Sequence, residues 1–258
     1  MNYIDTHAHI YSEEFETVIN EVVLNGQLAG VNKILLPNVN SHSIDGMLEL
    51  EKQFPEVFYP MMGLHPTYIK ENYLDELKVI EDWLYKRKFI AVGEIGIDLY
   101  WDKSFLAQQQ FAFQKQIEWA LDLDLPIVIH ARDAFSEIFE ILDLYRGKSL
   151  RGVFHSFSGG VQEVDKILSF GGFKMAINGI VTFKNSKLDS AIIRAGVENL
   201  MLEADSPYLS PMPHRGKVNK PEYIPHISQK IASILNITEV EVAKVTTGNA
   251  IELFQLNK

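Results

Sequence analysis

The residues able to do chemistry in this chain sit at the ends of apolar runs. Tyr3-Ile4-Asp5-Thr6-His7-Ala8-His9-Ile10 comes first. Tyr3, Ile4 and Ile10 favour a strand, and residues two apart in a strand share a side. His7 and His9 are therefore expected to project together, the simplest way for one strand to offer two imidazoles to a cation. Two neighbouring histidines also arise by chance, so this pair alone decides little. The placement recurs, however. His65, Glu94, His130, His155, Glu203 and Asp205 each end or follow an apolar run, so that five of the eight histidines occupy such ends. The other three, His42, His214 and His226, fall in predicted loops or helices and read as solvated.

Each residue taken singly has a structural reading. His130 or His155 would be a core histidine, Glu94 an interior carboxylate facing an arginine, Asp205 a turn cap. Converging together without a cation, they would carry an uncompensated desolvation cost of several kcal/mol. Four imidazoles with one or two carboxylates also exceed what one open catalytic ion uses. Two cations about 3.5–4 Å apart, sharing a carboxylate, use the set better. The chain has no cysteine, which excludes thiolate ligation and disulfides. Imidazole-rich ligation favours Zn, Mn, Co, Ni or Fe, with Mg weaker and Ca disfavoured. Such a pair acidifies a shared water and polarises a phosphoryl or carbonyl oxygen.

These side chains need elements that deliver them to one place. Short apolar runs near residues 3–10, 33–37, 57–64, 89–96, 126–130, 151–155, 173–177 and 199–203 alternate with helical stretches. The helices are expected at 14–29, 41–54, 73–87, 104–122, 132–144, 159–170 and 186–195, with two more after a Pro-rich loop over 205–221. Eight strand–helix units in one chain of 258 residues predict a closed parallel (β/α)8 barrel of the TIM type. An open doubly wound sheet is the alternative, but it wants a Gly-rich first turn, and Asp5-Thr6-His7-Ala8-His9 is not one. In a barrel the strand C-termini open on one face, so the polar residues would share one mouth.

Composition agrees with a packed domain spanning 1–258: 47% of residues are hydrophobic and 22% charged. No apolar run approaches the roughly 20 residues of a membrane span, and no basic-then-apolar leader opens the sequence. The expected location is the cytoplasm, with no membrane and no obligate protein partner. The net charge of -10 repels nucleic acid over the surface as a whole. It still permits a local basic site, because exposed charges are screened beyond roughly 8 Å.

Seven motifs occur in order: Asp5-Thr6-His7-Ala8-His9, Gly63-Leu64-His65-Pro66, Gly93-Glu94-Ile95-Gly96-Ile97-Asp98, Ile129-His130-Ala131-Arg132, His155-Ser156-Phe157-Ser158-Gly159, Leu202-Glu203-Ala204-Asp205-Ser206-Pro207-Tyr208-Leu209 and Arg215-Gly216-Lys217-Val218-Asn219. In these the chain resembles the TatD family of metal-dependent deoxyribonucleases, within the amidohydrolase superfamily, from Ile4 to about Phe254. The resemblance implies that His7, His9, Glu94 and Asp205 hold one divalent ion. Glu94, His130 and His155 would hold a second, with Glu94 as bridge and Mg, Mn, Zn, Co or Ni as candidates. It implies that Asp205 orients or deprotonates the attacking water, and that the substrate is DNA, often cleaved from an end. Ala204 stands where the family often has Thr, and Lys220 where it often has Glu.

Further residues near the expected mouth are candidates for substrate contact: His65, Arg132, Glu203, Arg215 and Lys217. Glu203 can alternatively support a ligand histidine. The loop from His214 to Lys220 follows the last strand and is expected on the catalytic face, with Arg215 gripping phosphate. Tyr100 and Trp101 could stack on a base, core packing being the expected role for at least one. Two rival functions remain at this point. One is an amidohydrolase cleaving a C–N or lactone bond; the other is a non-catalytic, metal-stabilised barrel that binds nucleic acid or a partner.

Overall fold

The computed structural model describes residues 1–256, so the last two residues of the expected domain lie outside the described residues. Eight strands appear: β1 (Tyr3–Asp5), β2 (Val31–Leu36), β3 (Phe58–Pro60), β4 (Val92–Asp98), β5 (Ile127–Arg132), β6 (Gly152–Phe154), β7 (Phe173–Ile177) and β8 (Leu200–Leu202). The helices between and after them are α1 (Ile19–Leu28), α2 (Ile44–Gln53), α3 (Tyr73–Lys86), α4 (Leu106–Asp122), α5 (Phe135–Asp143), α6 (Val161–Phe170), α7 (Asp189–Ala195), α8 (Ile224–Leu235) and α9 (Glu239–Phe254).

All strand pairs are parallel, in the orders β1-β2-β3 and β4 through β8. Two single bridges join the groups into a ring. Met62 pairs with Val92 after β3, and Ala8 pairs with Ser206 after β8. The expected barrel is the one found.

Its interior explains how the site is made. Ile4, Leu35, Met61, Ala91, Val128, Val153, Ala176 and Met201, one from each strand or its edge, form a single buried layer. Ala250, Leu253 and Phe254 of α9 pack on that layer and plug one end. Because strand side chains alternate, the next inward residue lies two positions further on. Val128 is followed by His130 and Arg132, Val153 by His155, and Met201 by Glu203 and Asp205. The floor and the chemistry above it are thus consecutive storeys of one pleat. In β4 the pairing slips between Val92 and Ile95, which changes the phase and brings Glu94 inward.

Several boundaries differ from expectation. β1 stops at Asp5, so His7 and His9 lie beyond it. The backbone stays extended there because Ala8 N donates to Leu35 O and His9 N to Ser206 O, 3.1 and 2.7 Å. Arg132 was expected to start a helix but is the last residue of β5, held by pairing with Asp98. The first helix begins at Ile19, five residues late, after a 3-10 turn at Glu13–Phe15. No helix among the described residues is long and apolar enough to cross a membrane.

Candidate metal centre

Five imidazoles surround one carboxylate. His7 Nε2 lies 3.1 Å and His9 Nε2 3.8 Å from Glu94 Oε2. His65 Nε2, His130 Nδ1 and His155 Nε2 lie 3.1, 2.9 and 3.2 Å from Glu94 Oε1. Asp205 enters from the β8 side, its Oδ1 3.7 Å from His9 Nε2. Asp205 has φ 58°, a left-handed conformation that Asp tolerates better than most residues. Glu94, His7, His155, Glu203 and Asp205 are all buried. The cluster lies in a cavity of about 870 Å³.

A partner on the far side fixes the tautomer of His9. Tyr11 Oη donates to Pro37 O at 2.6 Å, so towards His9 Nδ1, at 2.9 Å, it accepts. His9 Nδ1 therefore carries the proton, and its Nε2 lone pair points at Glu94 and Asp205. His130 has a carboxylate on each side, Asp98 at 2.8 Å from Nε2 and Glu94 at 2.9 Å from Nδ1, and His155 Nδ1 lies 3.2 Å from Glu203 Oε1 without a hydrogen bond. Lone pairs aimed at carboxylates repel unless a cation or extra protons intervene, and this is the arrangement that orients histidine ligands. His65 is wired in the opposite sense. Its outer Nδ1 accepts from Thr67 N at 3.1 Å, so Nε2 holds the proton and donates to Glu94. His65 is therefore a donor to anions rather than a ligand. His7 Nδ1 has no hydrogen-bond partner, so its tautomer is not fixed.

Electrostatics gives the same answer. Burial lowers His9 to about 4 and drives His7 and His65 down as well. Burial, reinforced by Glu203 and Glu94, pushes Asp205 up to about 8 against the pull of His155. His130 and His155 are raised, because hydrogen bonds and carboxylate charge from Asp98, Glu94 and Glu203 outweigh burial. Glu94 is held well below its usual range by surrounding imidazoles, against burial. Carboxylates and imidazoles crowded together and shifted in opposing directions mark a pocket that protein groups alone do not balance, and divalent cations would favour ionised carboxylates beside neutral rings. The donor set fits metal. Among the expected ligands, the atoms of His7, His9 and Glu94 are close enough to share an ion, and the two other such groups bring in Glu203 beside His7 and His155 and His65 beside Glu94 and His130.

The other expected contacts divide. Arg132 lines the cavity. Glu203, expected to touch substrate, is fully buried. It lies behind His155, its Oε1 accepting from Ser156 N at 2.6 Å, so it orients that segment. Arg215 and Lys217 are exposed and do not line the cavity. The Arg215 guanidinium lies 3.8 Å over the Phe183 ring, and the Lys217 carbonyl accepts from Ser210 Oγ. Lys220 Nζ is drawn to Glu21, 3.7 Å away. Asn219 Nδ2 donates to Ala204 O and Tyr208 O, closing the base of the loop. Neither Tyr100 nor Trp101 is core: they are 54% and 69% exposed. His42 is exposed but lines the cavity, while His214 is half-buried, stacked on Tyr223 at 3.9 Å beside a half-buried His226.

Asp98 and Tyr11 carried no expected role. A signal existed for Asp98, four residues after Glu94 in one strand and so on its side. Tyr11 had none, since its hydroxyl acts through the carbonyl of Pro37, distant in sequence.

The family model described as TatD related DNase matches residues 4–255. The uncharacterized metal-dependent hydrolase YabD of Bacillus subtilis is 32% identical over 254 residues, 98% of this chain and 99% of its own length. The uncharacterized metal-dependent hydrolase YcfH of Escherichia coli is 28% identical over 261 residues, covering 100% of this chain and 97% of its own. Among solved structures, the TatD homolog YJJV from Escherichia coli superposes with a TM-score of 0.92 at 27% identity, over 99% of this chain and 98% of that one. With that match and the buried His–Glu cluster, the chain belongs to the TatD family of metal-dependent hydrolases.

Proposed function

We propose that the chain is a phosphodiesterase acting on DNA, one catalytic domain holding two divalent ions. His7, His9, Glu94 and Asp205 would hold one ion, and Glu94, His130 and His155 the other. The observation that carries this reading is the convergence of His7, His9, His130 and His155 on the two oxygens of buried Glu94, with Asp205 beside His9. The family's description as a DNase supports the choice of substrate. Bound there, divalent ions supply Lewis acidity that polarises a phosphoryl oxygen and acidifies a water.

The chain's own residues do the rest. Glu94 joins the two halves of the centre, since each of its oxygens faces different rings. Asp205 Oδ1, at the open side, accepts the proton of the attacking water and aims it. Asp98 and Glu203 hold His130 and His155 in register. His65 Nε2–H is the neutral donor nearest the centre and can turn from Glu94 to an incoming phosphate oxygen.

The test is elemental analysis after loading with Mn or Zn, run beside cleavage assays on DNA, a simple phosphodiester and a cyclic amide. Two equivalents per chain and metal-dependent cleavage of the first two substrates are expected. Saturation at one equivalent would sink the dinuclear arrangement. Turnover of the cyclic amide alone would move the enzyme to C–N hydrolysis.

A further inference from the structure

The mouth of the cavity is aromatic rather than basic. Tyr68, Trp101 and Tyr208 reach it from the segments after β3, β4 and β8. Among the residues lining the cavity the one permanent cation is Arg132. The expected basic loop lies outside it. A duplex is gripped mainly through its phosphates, and this mouth offers little for that grip.

Trp101 is 69% exposed, yet it is firmly placed. Asp98 Oδ1 accepts from the backbone N–H groups of Tyr100 and Trp101 at 3.0 and 3.2 Å. Oδ2 of the same carboxyl faces His130 Nε2 at 2.8 Å. One carboxylate therefore ties the Tyr100–Trp101 turn to a ring of the metal centre. Leu99 N also donates to Arg132 O, 2.9 Å, pinning the turn to the end of β5. The Tyr100 ring meets the indole edge to face, centroids 4.9 Å apart. The Arg132 guanidinium lies 3.8 Å over Tyr100 and 5.3 Å from the centre of the Trp101 ring. Tyr100 and Arg132 brace the indole, which remains mostly open to solvent.

An immobilised, exposed indole is complementary to another flat π-system, and nucleobases stack on such rings without regard to sequence. The geometry points to a stacking subsite: Trp101, braced by Tyr100 and Arg132, holds the base of the nucleotide beside the scissile phosphodiester, and Arg132 is the permanent cation left for its phosphate. This rests on the phosphodiesterase reading and adds that base stacking, more than charge, holds the strand at the mouth.

The test uses the metal-loaded protein and a short, cleavage-resistant phosphorothioate oligodeoxynucleotide with 2-aminopurine at its end. Binding to the wild type should quench the 2-aminopurine emission. Trp101→Ala should abolish the quench and weaken affinity by roughly 5- to 100-fold, the span of one stacked base. Trp101→Phe should restore part of both. An abasic end should weaken wild-type binding by the same factor and erase the difference between wild type and Trp101→Ala. Log affinity against log salt should fall with a slope near -0.7, about one phosphate contact on a single strand. Unchanged affinity in Trp101→Ala, full affinity for the abasic strand, or a slope of several units would each overturn the subsite. Quenching that is lost in Trp101→Ala, with no cleavage of any unmodified oligonucleotide, would support the subsite while removing the phosphodiesterase reading.

Discussion

Two arginines make the same local contact and stand in different places. The guanidinium of Arg132 lies 3.8 Å over Tyr100, and that of Arg215 lies 3.8 Å over Phe183. Arg132 lines the cavity and Arg215 does not. The difference lies in what carries them. Arg132 ends a strand, two residues after His130, and its position is inherited from the barrel's pleat. Arg215 sits on an exposed loop whose base Asn219 closes. Charge and an aromatic neighbour are the same in both; what separates them is a connection to Glu94, which Arg132 has through His130, and on the proposed function that connection marks a substrate contact. If that holds, the cost of a substitution should fall along the chain of contacts leading outward from Glu94.

The steepest loss belongs to Glu94→Gln. It removes the charge on which both halves of the centre converge, and should lower kcat/KM by more than about 10³-fold, as expected where several kcal/mol of charge stabilisation is lost. Elemental analysis should show fewer than two bound ions. A variant that keeps two ions and normal turnover would break the ordering at its origin.

Asp205→Asn comes next. Asn keeps the shape but neither the charge nor the proton affinity, so activity should drop by at least about 100-fold, the lower range for a general base. Circular dichroism should report an intact barrel. Near-wild-type turnover would remove Asp205 from the chemistry.

Asp98→Ala reaches the centre only through His130. Releasing that ring should weaken metal affinity by about 10- to 100-fold, measured by competition with a chelator. It should also loosen the Trp101 turn, which a rise in indole mobility by fluorescence anisotropy would report. Unaltered metal affinity would mean that Asp98 serves the turn alone.

The smallest effects sharpen the original comparison. Arg132→Ala should reduce the salt slope of DNA affinity by about 0.7, one contact on a single strand. Arg215→Ala should leave both slope and affinity unchanged. The reverse result would mean that the outer loop, not the end of β5, meets the phosphate backbone.

Residue type and spacing made the barrel readable in the sequence, because short, mostly apolar runs alternate eight times with longer helical stretches. The same logic reached His130, His155 and Asp205, whose inward direction follows by parity from Val128, Val153 and Met201 in the buried layer. Parity failed where the backbone leaves the regular ladder. Glu94 follows a slip in pairing, and His7 and His9 lie beyond the end of β1. There the expected placement holds for a different reason, hydrogen bonds from Ala8 N and His9 N in the one case and the slipped register in the other.

Other features came from tertiary structure alone. That His9 presents a lone pair while His65 presents a proton depends on Tyr11 and Thr67 standing behind them. No spacing rule encodes a ring's tautomer, which is set by whichever atom packs against its far side. The loop from His214 to Lys220 departs from expectation for a related reason: side-chain periodicity says nothing about where an irregular segment turns, and Arg215 and Lys217 do not line the cavity. Sequence determined which side chains the barrel lifts to its mouth, because strand alternation is local. Which of them close around Glu94 and which face only water was decided by contacts between residues far apart in the chain.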